Sequence, residues 1–188
     1  MKANPIEFET IASLAARYRS GEISPVTVTE TLLEQIEALN GHLNAFIRVT
    51  GERALAEARA AEMELRAGQD RGPLHGIPYA VKDIYDVRSE PTTAGSKLLA
   101  GNVADEDCHA VAQLTRAGMV LVGKTHTVQF ALGPIGLNSD YGAPHNPWHA
   151  VAHAPGGSSS GSGEAAETLS ATNSVQWAEI RSKQRHMK

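Results

Sequence analysis

Cysteine is almost missing from this chain: Cys108 is the single one in 188 residues. No internal disulfide is possible, and a reducing, cytoplasmic setting is expected. Excess positive charge is also absent. The net charge is -4, so nothing points to a nucleic-acid surface. No apolar run approaches the ~18 to 20 residues of a membrane span. Met1 to Thr10 lacks the apolar core of a signal peptide. No internal repeat is visible. These absences leave a water-soluble protein, with no membrane or nucleic-acid partner expected.

What is present fits a folded domain. Hydrophobic residues make up 41% and charged residues 20%, a globular balance, and the length supports one domain with a real core. The first third reads as helical. Ile11, Leu14 and Tyr18 share a face, with Gly21 as a stop. Ser24-Pro25 is an N-cap followed by proline at the first helical position, and the helix it opens is expected to reach Gly41. Ala45 to Val49 is ambiguous between strand and loop. Glu52 to Ala67 is rich in strong helix formers and ends at Gly68.

The period then changes. Ile77 to Ile84 reads as a buried strand with charges at its end. Asp107 to Ala117 reads as a helix, with Val111 and Leu114 facing inward, and Met119 to Val122 as a second buried strand. Strand, helix, strand implies α/β architecture with some parallel pairing. A short helix is expected after Thr125, up to about Leu132. Leu137 to Pro155 is loop-like. Composition shifts after Gly163. Residues 164–188 read as a polar, poorly ordered tail, whose last eight residues carry four Lys or Arg and no acid.

The densest run of unusual residues is Pro155-Gly156-Gly157-Ser158-Ser159-Ser160-Gly161-Ser162-Gly163. It could be a flexible linker, a phosphate-cradling loop or a catalytic serine loop. The phosphate loop is weakened because Ser162 stands where its lysine should be. His145, His149 and His153 have helical spacing for metal ligation, but Pro147 interrupts them, so solvated loop histidines are expected and no metal. Cys108 beside His109 suits a helix start better than a nucleophile. Lys82 stands out because it follows the apolar Tyr79-Ala80-Val81, and lysine is rarely buried. Desolvation would lower its pKa and let the neutral amine act as a base. The plain alternative is a strand-end lysine paired with Asp83 or reaching water. Lys124 has a similar setting, and the sequence does not choose between the two.

Taken together the motifs resemble the amidase signature family. Gly72-Pro73-Leu74-His75-Gly76-Ile77-Pro78-Tyr79-Ala80-Val81-Lys82-Asp83 is similar to its G-x-P-x-x-V-K-D segment. Thr92 to Ser96 follows. Gly118 to Thr125 resembles its glycine-bounded strand ending in Gly-Lys-Thr. Asn138, Gly142 and Asn146-Pro147-Trp148 resemble the loop before the signature, and Pro155 to Ser162 the signature itself. The resemblance covers about residues 8 to 163 and removes the linker reading. It implies an α/β fold, a mixed sheet covered by helices, incomplete here and preceded by an N-terminal helical segment. It also implies a hydrolase of carbon–nitrogen amide bonds with no cofactor. Its triad would be Ser-cisSer-Lys, with Lys82 as general base and Ser158, after a cis Gly157-Ser158 peptide, as the bridging serine. A small-molecule amide would be the substrate, as in a general amidase or in the A subunit of glutamyl-tRNA(Gln) amidotransferase. Partner subunits of the amidotransferase type, or self-association, are possible partners.

The sequence departs from the family after Gly163. The domain is therefore expected to end at residue 163. By the family's spacing the nucleophile would fall at Ser182, but Ala178-Glu179-Ile180-Arg181-Ser182-Lys183 contains none of the D-x-G-G-S pattern. The Ala-rich helix expected after Ser162 is replaced by Glu164-Ala165-Ala166-Glu167. The chain is then expected to be inactive, a binding or assembly module, or a bare Ser158/Lys82 dyad. A reading-frame shift near codon 164 would explain both departures. Translating the gene's other frames past codon 163 should then yield D-x-G-G-S, and the idea fails if none does.

Overall fold

The computed structural model describes residues 9–146, 153 and 155–168. Among these residues five α-helices pack against a small mixed sheet. Helix α1 (Ile11–Ser20) is capped by Thr10, whose hydroxyl accepts the Ser13 N–H at 3.1 Å. Arg17 and Arg19 sit in its last turn, where the helix dipole favours cations. Helix α2 (Pro25–Leu43) starts as expected at Ser24, which accepts from the Thr27 N–H. It passes Gly41 and ends at Asn44, because Leu43 is buried on the core face.

The ambiguous Ala45–Val49 stretch resolves into strand β1 (Phe46–Val49). The Asn40 side chain lies along its start, donating to the Phe46 carbonyl and accepting the Phe46 N–H. Helix α3 (Gly51–Arg66) buries Ala54, Ala58 and Ala61, a stripe of small residues that lets it approach the sheet closely. Its Glu57 accepts the Leu121 N–H at 2.8 Å. Strand β2 (Pro78–Lys82), helix α4 (His109–Arg116) and strand β3 (Val120–Thr125) form the expected strand–helix–strand unit. The sheet order is β1-β3-β2, with β2 parallel and β1 antiparallel to β3. Cys108 occupies the N-cap position of α4.

After β3, the expected helix is only one 3-10 turn, Gln129–Ala131. Phe130 and Ala131 both have positive φ, which an α-helix does not allow. Helix α5 (Ser160–Thr168) is the larger correction. The sequence predicts no helix after Ser162, yet α5 runs five residues past Gly163, and Glu164 and Ala165 are buried. Glu and Ala are strong helix formers, and Ala165 joins a core with Val120 and Val122. A Cβ on Gly161 would lie 2.0 Å from the Ala45 carbonyl, so this close approach of α5 to the sheet needs glycine.

Two apolar clusters flank the sheet. Val120 and Val122 enter one, with Phe46, Ala58 and Ala165; Leu121 enters the other, with Leu14, Leu32 and Tyr79. That is the two-residue alternation of a strand buried on both faces. At the end of β3, Lys124 is fully buried. Its Nζ lies 2.8 Å from Asp83 Oδ1 and donates to the Pro91 carbonyl at 2.6 Å and to Thr92 Oγ1 at 2.9 Å. The other oxygen of Asp83 accepts from the N–H and hydroxyl of Thr93. Every polar atom of this pair is therefore engaged.

Loss of either buried charge should be costly. Lys124→Met leaves the Asp83 carboxylate buried and unpaired, and should lower unfolding free energy by about 3–5 kcal/mol. Urea unfolding measures it, and a loss below about 1 kcal/mol would contradict the anchor described above. Stability should also depend on pH. His75 and His126 are both buried, and burial holds both rings below the usual imidazole range. The unfolded chain takes up protons at these histidines near ~6.5, while the native state does so only at lower pH. Stability should be full well above that value and fall as pH is lowered from about 6.5 to about 5.5. An unchanged urea midpoint across that range would refute it.

Candidate active site

Lys82 closes β2, and the residue after it points the other way. The Asp83 N–H continues the ladder by donating to the Thr125 carbonyl at 3.1 Å. Lys82 and Asp83 thus alternate across the sheet like any strand neighbours. Asp83 turns toward Lys124 and the Thr92–Thr93 loop. Lys82 turns toward the glycine- and serine-rich loop and donates to Ser158 Oγ at 2.6 Å. It is 6% exposed. The simple alternative of a strand-end lysine paired with Asp83 is excluded, because Asp83 is committed to Lys124 on the opposite face.

Ser158 is held from several directions. The Gly157-Ser158 peptide is cis. The Ser158 carbonyl accepts from the Val128 N–H and from Thr127 Oγ1, both at 3.0 Å. Gly157 sits where a Cβ would lie 2.9 Å from the Gly136 nitrogen and 3.0 Å from Val128 Cγ2. The loop therefore packs backbone to backbone against the 133–136 segment. Farther along, Thr125 and Ser162 share a hydrogen bond at 2.8 Å. Ser158 and Ser159 are partly exposed, whereas Ser160 and Ser162 are buried.

A polar ring supports these contacts from behind. Asn138 Nδ2 donates to the Gly95 carbonyl at 2.7 Å and to the Thr127 carbonyl at 2.9 Å. Asp140 accepts from Ser96 Oγ, the Lys97 N–H and Gln129 Nε2. The path from Asp83 through Thr93 and Gly95 to Asn138 and Thr127 thus closes on Ser158. Sequence reasoning missed Thr127, Gln129 and Asp140. The polar run Thr125-His126-Thr127 directly after a buried strand was the available signal.

Of the remaining candidates, His145 is anchored through its backbone N–H to the Leu43 carbonyl, and its ring packs edge-on against His42 at 5.9 Å. His153 is exposed. His149 and Ser182 lie outside the described residues. Among the described residues no three or more His, Cys, Asp or Glu side chains converge as a metal cluster, and no helix is long and apolar enough to cross a membrane.

A buried amine against a serine hydroxyl, in a loop fixed by its own carbonyl, is suited to moving a proton to and from that hydroxyl. Comparison with known proteins identifies the family. The sequence model of the Amidase family matches residues 27–168. The A subunit of glutamyl-tRNA(Gln) amidotransferase from Streptomyces coelicolor is 43% identical over 156 residues, covering 83% of this chain and 31% of that protein. Its counterpart from Geobacter metallireducens is 45% identical over 163 residues, covering 87% of this chain and 33% of that one. The solved peptide amidase of Stenotrophomonas maltophilia superposes with a TM-score of 0.83 at 36% identity, covering 89% of this chain and 35% of that chain. The chain spans about a third of the length of these relatives. Because the match runs from α2 through the end of α5 and carries both Lys82 and the Ser158 loop with it, the chain belongs to the amidase family.

Proposed function

We propose that Lys82 and Ser158 are the base and relay of an amidase-type hydrolase of carbon–nitrogen bonds. The contact of Lys82 Nζ with Ser158 Oγ at 2.6 Å carries this reading. In its neutral form Lys82 takes the Ser158 proton, and Ser158 takes one from a downstream serine. That serine attacks the amide carbonyl and gives an acyl-enzyme, and the amine leaves with a proton returned along the same relay. Lys124 does not compete for this role, because its Nζ is paired with Asp83 on the other face of the sheet. The substrate is a small-molecule amide, the setting cytoplasmic, and the partners are other components of an amidotransferase-type assembly.

Within these 188 residues the serine at the family's spacing has no competent setting. Ser182 stands in Arg181-Ser182-Lys183, with no glycine pair to present oxyanion donors. The domain is taken to end where the resemblance does, with the rest of the chain as a tail.

Purified protein should therefore not hydrolyse simple amides such as benzamide or glutamine above the buffer rate, measured as ammonia release. Turnover that disappears in Ser182→Ala would sink the inactive reading and promote Ser182 to nucleophile. Turnover unaffected by Lys82→Met would sink the relay itself.

A further inference from the structure

We propose that in this chain Ser158 is itself a nucleophile, with Lys82 as its base, toward acyl and phosphonyl compounds whose leaving group needs no proton. This rests on the Lys82–Ser158 assignment of the proposed function, but not on any third residue.

Three observations support it. First, the pair is complete as it stands: the amine meets the hydroxyl at 2.6 Å, and Ser158 is partly exposed, so a small electrophile can reach it. Second, the neighbouring hydroxyls are poorer choices. Ser160 and Ser162 are buried, and Ser162 is bonded to Thr125. Lys124 also meets a hydroxyl, Thr92 Oγ1 at 2.9 Å, but its Nζ is paired with Asp83. Third, Ser158 lies just before the start of α5, and the N–H groups of Ser159 and Ser160 donate no hydrogen bond among the described residues. N–H groups following a nucleophile at the start of a helix are suited to receive a developing oxyanion. The two bonds to the Ser158 carbonyl keep this turn from rotating away.

The chemistry balances with the groups present. Neutral Lys82 takes the proton from Ser158 Oγ as Oγ bonds to the carbonyl carbon of an aryl ester. The tetrahedral oxyanion collapses, the carbon–oxygen bond to the aryl group breaks, and phenolate departs. Lys82 then gives its proton to solvent, and water hydrolyses the acyl-serine with Lys82 again as base. With an alkyl fluorophosphonate the oxygen–phosphorus bond forms, fluoride leaves, and the adduct persists. An amide differs because its nitrogen must be protonated to leave, which calls for the longer relay of the complete enzyme.

The test is to treat the full 188-residue chain with an alkyl fluorophosphonate and to follow intact mass and site by tandem mass spectrometry. One adduct is expected, on Ser158, forming faster as pH rises. Lys82→Met should slow it on the order of 100-fold or more and remove the pH dependence, and Ser158→Ala should abolish it. Circular dichroism and urea midpoints check that each variant is folded, and the site and pH dependence in the unaltered chain need no variant. No adduct on folded protein, an adduct mapped elsewhere, or a rate indifferent to Lys82→Met each overturns the proposal. An adduct on Ser182 that depends on Lys82 would overturn it while supporting the three-residue amidase reading. The two ideas therefore fail separately.

Discussion

At the end of one strand two consecutive residues, Lys82 and Asp83, face opposite sides of a buried sheet. The rest of the site depends on that alternation. A strand sends successive side chains to opposite faces, so one strand end supplies both the amine at the serine loop and an anchor. On one face Lys82 meets Ser158. On the other, Asp83 meets Lys124 and the Thr92–Thr93 loop. Parallel pairing of β2 with β3 brings Val81 opposite Lys124 and Lys82 opposite Thr125. Thr125 then lies on the side of the serine loop and bonds Ser162. A slip of one residue in this register would put Lys82 on the same face as Lys124.

The anchor also explains how two residues 76 positions apart keep hydrogen-bond distance. Lys82 is fixed through the strand ladder and through its neighbour Asp83. Ser158 is fixed through its carbonyl by Thr127 and Val128, the residues that follow β3. Asn138 bridges the loop after Lys82 to Thr127. The arrangement is polar and largely buried, and such networks are favourable only when every member is satisfied. The ion pair of Lys124 with Asp83 meets that condition, and removing either partner strands the other.

Much of the fold was legible in the residues. Ser24 and Pro25 marked a helix start through local capping chemistry, and Gly21 marked an end. The apolar runs before Lys82 and Lys124 marked buried strands. Misreadings arose where burial overrode local signals. Helix α2 ignored Gly41 because Leu43 is drawn into the core, and α5 formed where polarity suggested a tail because Ala165 packs against Val120 and Val122. The expected helix after Thr125 shrank to a single turn, where Phe130 and Ala131 take left-handed backbone.

By itself the sequence determined the start of α2 and the α/β class, and it picked out two lysines in unusually apolar settings, along with a loop rich in glycine and serine. Apart from the family resemblance, which named Lys82, its local pattern could not say which lysine meets that loop, since Lys82 and Lys124 both end apolar runs. The tertiary structure shows the contact itself. Which face a strand residue occupies depends on the register with a distant strand and on what packs against each face, and neither is encoded in a residue's neighbours. Here the parallel register and the packing of α5 turn Lys82 toward Ser158, while Asp83 claims Lys124 on the other side.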